Sequence, residues 1–236
     1  MKVALCIPTR KAPFPQMVEA IEASLPLLRG AGHTVGVITE IGSAYISWAV
    51  GQMVAKAMLW EADAAVIIED DMSFDPQALL RLIEMPGDVV AGNYRYKFDP
   101  VEYMAIPTVV DGKVHIYSNG CIKADKVPAG FLKITRRAVE RFRKHYPSLI
   151  CDDHKRELQF VDLFNHGAYQ GVWFGQDFAF SRRWRAAGED IWVIPDLNIS
   201  HWLKQDDGTY TEFPGNYLQF LRAEQAKEEA QQQEAA

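Results

Sequence analysis

Three short runs near the N-terminus are apolar at most positions: Val3–Ile7, Thr34–Thr39 and Ala64–Ile68. Each is too short for a helix and long enough for a strand. The third has no polar residue at all, the pattern of a strand covered on both faces. Between them lie two stretches of a different period. Residues 15–29 place Met17, Val18, Ile21, Leu25 and Leu28 on one helical face, with Gly30 and Gly32 as the stop. Residues 43–60 place Ile46, Ala49, Val50, Met53, Val54, Ala57 and Met58 on another, with Ser43 as the expected N-cap. Asp75-Pro76 opens a further helix with Pro at its first position, and Asp88–Ala91 reads as a fourth strand. Residues 1–92 therefore alternate strand and helix, which predicts an α/β fold with a mostly parallel sheet flanked by helices. Ligands of such sheets bind beyond the carboxyl ends of the strands. Thr9, Arg10, Glu40 and the trio Glu69-Asp70-Asp71 all fall at such ends.

The second half reads differently. Asp111-Gly112 is a hairpin turn signal between Tyr103–Val110 and Val114–Tyr117. Val127–Ile134 is an expected strand, followed by a helix capped by Thr135 and running to His145. Residues 147–171 are irregular, polar and aromatic, long enough for a lid or binding loop. Gln176–Ala187 reads as a helix stopped by Gly188. Ile191–Ile194 and Leu197–His201 read as short strands, and a helix is expected from Pro214 onward. These segments predict a smaller, mixed or antiparallel sub-region. With no internal repeat and no Gly/Ser/Pro-rich linker, the expectation is one domain over 1–220, with halves at 1–92 and 93–220. Residues 221–236 form a polar tail, helical or disordered.

Composition matters here mainly for what it excludes. The net charge of −6 over 236 residues argues against a broad basic face for polyanions, though not against a local basic groove. Cys6, Cys121 and Cys151 form no CxxC pair, so neither a disulfide framework nor a thiolate zinc site is indicated, and a reducing cytoplasm is the expected compartment. There is no signal-like segment and no apolar run of membrane-helix length. Peripheral contact with a membrane stays open.

Three constellations could carry chemistry. In Val66-Ile67-Ile68-Glu69-Asp70-Asp71, adjacent carboxylates at the end of a buried strand repel one another. A hard divalent cation, magnesium or manganese, would relieve this; a solvated acidic turn would also account for it. Asp177 lies in the first turn of a helix between aromatic residues. It suits a general base, or a carboxylate that simply faces the positive end of its own helix. His201, in Ser200-His201-Trp202, becomes a ligand only if the fold returns it to the acidic trio. Arg10, Lys11, Arg95, Lys97, Lys133, Arg136, Arg137, Arg182 and Arg183 are the cations that could face phosphate, most of them expected as solvated surface.

Taken together, these blocks resemble the GT-A fold glycosyltransferases of the family 2-like kind. Val3-Ala-Leu-Cys-Ile-Pro-Thr-Arg resembles their first strand and nucleotide loop. Val66-Ile-Ile-Glu-Asp-Asp-Met resembles their DxD block, and Phe174-Gly-Gln-Asp-Phe-Ala-Phe-Ser-Arg-Arg-Trp their later acidic block. His201 resembles the late histidine, and the likeness spans about residues 2–220. It implies a Rossmann-like, nucleotide-binding GT-A sheet in the first half and acceptor binding in the second. It also implies transfer of a hexosyl or pentosyl group from a UDP- or GDP-type nucleotide sugar to an acceptor hydroxyl, with a slight lean to inversion. By position, it implies that Thr9 and Glu40 contact the nucleoside, Arg10 the base or phosphate, and Asp70 the ribose. Asp71 and His201, with Glu69 in the first acidic place, would hold Mn2+ or Mg2+. Asp177 would be the base, and Gly130 would keep the space between donor and acceptor clear. Two departures stand out: Glu69 replaces the usual first Asp, and Gln176 the usual Glu before Asp177.

Two other readings compete. A sugar-phosphate nucleotidyltransferase would carry a glycine-rich loop after the first strand, where this chain has Pro8-Thr-Arg-Lys-Ala-Pro-Phe-Pro. A non-catalytic nucleotide-sugar binding protein would have lost its ligands, whereas Asp71, Asp177 and His201 are present. The acceptor is left open among a glycan, a lipid-linked glycan, a protein, a small molecule and a modified DNA base. The aromatic stretch 159–184 offers a surface for a sugar ring or nucleobase to stack on.

Overall fold

β1 (Lys2–Thr9) is the strand from which the sheet is built. It pairs in parallel with β2 (Thr34–Ile41) on one side and β3 (Ala64–Ile68) on the other. The chain is a computed structural model whose described residues are 1–234. Period-two alternation in β1 divides its side chains between two cores. Val3, Leu5 and Ile7 meet Met17, Ile21 and Leu28 of α1 (Pro15–Gly30) and Leu79, Leu82 and Ile83 of α3 (Pro76–Glu84). Ala4 and Cys6 face Val50, Met53 and Ala57 of α2 (Ile46–Leu59). β3 is buried at every position because helices cover both faces. The fold is α/β, with helices on both sides of one central sheet, as the alternation predicts.

β4 (Met72–Phe74) follows the acidic trio, and β5 (Val89–Gly92) follows α3. Three short strands come next: β6 (Ile106–Pro107), β7 (Val109–Val110) and β8 (Lys113–Val114). The last two close on Asp111-Gly112, both left-handed at φ 52° and 75°, as a tight hairpin of this kind requires. Of the strand expected over Val127–Ile134 only the second part is a strand, β10 (Phe131–Thr135). Residues 127–130 are irregular and link it to β9 (Ile122–Lys126), where no strand is expected from the sequence. Thr135 caps α4 (Arg136–His145) as expected, its hydroxyl oxygen accepting the Ala138 amide at 3.2 Å.

The central sheet runs β2-β1-β3-β10-β5-β15-β9-β6, where β15 is Trp192–Ile194. The fourth strand therefore does not sit beside the third. β10 comes between them, antiparallel to both, so the sheet is more mixed than the alternation suggests. Residues 147–171 are more regular than expected. They contain a short 3-10 turn, the hairpin β11 (Ile150–Asp153) and β12 (Leu158–Val161), and β13 (Gly167–Tyr169). β13 pairs with β14 (Val172–Phe174), which leads into α5 (Gln176–Ala186).

β16 (Asn198–Lys204) pairs with both β4 and β17 (Tyr210–Asn216). The helix expected from Pro214 begins only at Tyr217, as α6 (Tyr217–Glu234). Pro214 instead lies in β17, an edge strand where its missing N–H is tolerated. Likewise, Ser43 does not cap α2: its hydroxyl bonds the Tyr45 carbonyl at 2.9 Å and the helix starts at Ile46. The polar tail expected over 221–236 is helical to Glu234; residues 235 and 236 lie outside the described ones. Among the described residues, no helix is long and apolar enough to cross a membrane.

Candidate functional site

Three strand ends and one sheet pairing build the site. Thr9 ends β1 and Arg10 follows it, Glu40 lies near the end of β2, and Glu69-Asp70-Asp71 follow β3. They line one cleft of about 560 Å³ together with Ser43, Ala44 and Ile46 from the start of α2. His201 reaches it by a different route. β16 runs antiparallel to β4 with His201 opposite Met72, and the Trp202 amide donates to the Asp71 carbonyl at 2.8 Å. The acidic trio and the late histidine thus become neighbours across 130 residues of chain (201 minus 71).

Glu69, Asp71 and His201 each offer a ligand atom within 4.8 Å of the others. His201 Nδ1 lies 3.1 Å from the Arg95 carbonyl oxygen. A carbonyl only accepts, so Nδ1 carries a proton and Nε2 is the ring nitrogen left to face the carboxylates. Nε2 is 3.5 Å from Asp71 Oδ1, an oxygen that is buried without a hydrogen-bond partner. Two carboxyls, an imidazole whose Nε2 faces them and an unpartnered oxygen fit a divalent cation.

The carboxyls differ by environment. Burial pushes Glu69 up to about 8, reinforced by the negative charges of Asp177 and Asp71. Burial alone would also raise Asp71, but His201 and Lys97 together outweigh it and hold Asp71 below the usual carboxylate range. Burial raises Asp70 against the opposing bond from the Thr9 hydroxyl. Glu40 is held low, first by its bond from Arg156 at 2.7 Å and then by Lys56 at 3.2 Å. Both Glu40 oxygens are therefore engaged by cations, and Arg156 also lies 4.5 Å over the Trp48 ring.

Asp177 enters from the other half of the chain. Gly175 stands at the N-cap of α5 and Asp177 in its first turn. Burial raises its carboxyl to about 6, against bonds from the Ala129 amide and the Gln176 side chain, and its Oδ1 is buried without a hydrogen-bond partner. The hairpin β13–β14 just before it carries Trp173, 70% exposed, and Arg182 stacks 3.7 Å over the Tyr169 ring.

Gly130 sits under Glu69. Its carbonyl accepts the Glu69 amide at 3.0 Å, and its amide donates to the Tyr94 hydroxyl at 2.9 Å. A Cβ there would lie 2.2 Å from the Tyr94 oxygen and 2.7 Å from Glu69 Oε2. The immediate reason for glycine is this close approach. Gly130→Ala is expected to cost roughly 1–3 kcal/mol by overpacking and to weaken Mn2+ binding by displacing Glu69. Thermal melts and a manganese titration check this; an unchanged Tm with unchanged affinity would contradict it.

Several cations expected as phosphate partners or surface are committed to the scaffold. Lys133 is buried against the Ile83 and Met85 carbonyls, Arg136 reaches the Met58 and Ala62 carbonyls, and Arg137 pairs with Asp88. Tyr94, Lys56, Trp48 and Arg156 were not singled out in the sequence, because no motif spacing marks them.

No protein-family model matches the chain, and no curated protein matches it. Solved structures with which it aligns include A197 from STIV, at 13% identity, TM-score 0.47, and 89% and 93% coverage of this and that chain. Another is a Drosophila beta-1,4-galactosyltransferase 7 variant in complex with manganese, UDP-Gal and xylobiose, at 12% identity, TM-score 0.45, and 92% and 73% coverage. A third is GalNAc-T7 with UDP, GalNAc and Mn2+, at 8% identity and TM-score 0.48. There the alignment covers 85% of this chain and 44% of that one.

Proposed function

We propose that the protein is a metal-dependent glycosyltransferase, moving a sugar from a nucleotide sugar to an acceptor hydroxyl. The observation that carries this reading is the convergence of Glu69, Asp71 and His201, the first two of which line a polar cleft, with a buried Asp177 close enough to raise the Glu69 carboxyl. Glu69, Asp71 and His201 would hold Mn2+ or Mg2+, which when bound supplies positive charge for the departing diphosphate. Thr9, Arg10, Asp70 and the Glu40 side of the cleft would receive the nucleoside. Glu40 would act there through the cations it holds: Arg156 and Lys56 both bond its carboxylate, and Trp48 backs Arg156. Asp177 would take the proton of the acceptor hydroxyl. Its raised carboxyl makes it a base matched to near-neutral pH, where a surface carboxylate would be far weaker. The exposed Trp173 and Tyr169 on the adjoining hairpin would form the acceptor side.

A panel of nucleotide sugars, each with and without manganese, tests the reading by thermal stabilisation and donor hydrolysis. At least one donor is expected to stabilise the fold only when manganese is present. If none does, the proposal fails.

A further inference from the structure

The segment after β5, Asn93-Tyr94-Arg95-Tyr96-Lys97, touches every candidate ligand. The Tyr94 hydroxyl lies 3.3 Å from Glu69 Oε2 as donor. The Arg95 carbonyl accepts from His201 Nδ1 at 3.1 Å. The Lys97 ammonium pairs with Asp71 Oδ2. Resting on the cation reading of Glu69, Asp71 and His201, we propose that this segment is the positioning shell of the site. Tyr94 and the Arg95 carbonyl are its fixed anchors, and Lys97 is a built-in cation that holds Asp71 until a divalent ion displaces it.

Burial and backbone bonding divide the roles. Tyr94 is fully buried, its oxygen also accepts the Gly130 amide, and its ring meets the His201 ring edge-on at 5.1 Å. Arg95 is 9% exposed and bonds the Phe98 carbonyl at 2.8 Å and Asp99 at 2.6 Å. The backbone is clamped by bonds from the Met104 amide to the Tyr94 carbonyl at 3.1 Å and from the Tyr96 amide to the Glu102 carbonyl at 3.0 Å. Past this clamp the chain emerges: the Lys97 side chain is partly exposed, and Phe98 is 46% exposed. A long, flexible ammonium at the exposed end can swing to solvent, whereas the tyrosine at the buried end cannot. Two cations cannot share Asp71 without repulsion, so binding of one opposes the other.

The test is Mn2+ affinity of the full chain without donor, measured by titration calorimetry or by the electron paramagnetic resonance signal of free manganese. Lys97→Met removes the competitor and is expected to bind Mn2+ roughly tenfold tighter, while Lys97→Arg stays near wild type. Tyr94→Phe is expected to bind at least roughly tenfold more weakly, as outer partners of metal ligands do. Unchanged or weaker binding in Lys97→Met overturns the stand-in role, and unchanged binding in Tyr94→Phe overturns the anchor. Should Mn2+ bind the wild type in an Asp71-dependent way while Lys97→Met is unaltered, only this inference falls. Should it bind neither protein at millimolar concentration, the cation reading falls with it.

Discussion

Asp177→Asn is expected to lower transfer by roughly 10² to 10⁴-fold, the usual contribution of a positioned general base, while leaving manganese and donor binding near wild type. Asparagine keeps the shape of the side chain but has no basic oxygen. The pH dependence adds a second mark. Burial raises the Asp177 carboxyl to about 6, and only its ionised form can take a proton. The wild-type kcat/KM is therefore expected to fall tenfold per pH unit below about 6 and to be flat just above it. In the asparagine variant the residual rate should lack this acid limb. Full transfer by the variant, or an unchanged limb, would remove Asp177 from the base role.

Asp71→Asn is expected to abolish stabilisation by manganese. At a concentration about 100 times its Kd, a ligand that binds only the folded chain adds roughly 2.7 kcal/mol. For a chain of this size that raises Tm by roughly 5–10 °C. Asp71 contributes an oxygen that has no protein hydrogen bond and is kept ionised by His201 and Lys97. The amide presents no negative charge and leaves Lys97 without its partner. The metal-free variant is thus also somewhat less stable, so the quantity to compare is the manganese-induced shift and not the absolute Tm. Differential scanning fluorimetry of both proteins, with and without MnCl2, measures it. A shift of wild-type size in Asp71→Asn would show that the ion binds elsewhere.

The parts of the molecule legible in its sequence are those set by local chemistry. The apolar run Ala64–Ile68 has to be covered on both faces, and the carboxylates after it have to stand at its end. Pro15 and Pro76 start helices because their missing N–H is one a first turn leaves unpaired anyway, and Thr135 caps because its hydroxyl reaches the Ala138 amide. What was not legible depends on pairing across long stretches of chain. Nothing in Val127–Ile134 says that its second part inserts between β3 and β5. Glu40 is read as a free nucleoside contact until Lys56, 16 residues on, and Arg156, 116 residues on, are seen to hold it. Tyr94 lies in a stretch with no motif, and Lys97 stands out only as one of several cations that could face phosphate; its pairing with Asp71 exists only in the fold. Residues 69–71 and 201 were nameable because chemistry makes bare carboxylates and a histidine conspicuous. Their supporting shell is not legible because a tyrosine is ordinary anywhere and a lysine does not announce which carboxylate it will meet.

The position of β10 has a consequence for how the chain reaches its native state. Five residues made after both β3 and β5 fill the slot between them. Until Thr135 has emerged, β3 and β5 each keep an open hydrogen-bonding edge, so the nascent first half is unsealed and prone to pair with the wrong partner. A fragment ending at Gly92 would hold the acidic trio at such an edge, without Gly130 and the Tyr94 shell that shape it. The cleft should thus take its final shape late and abruptly in folding, with the closing of a long-range contact.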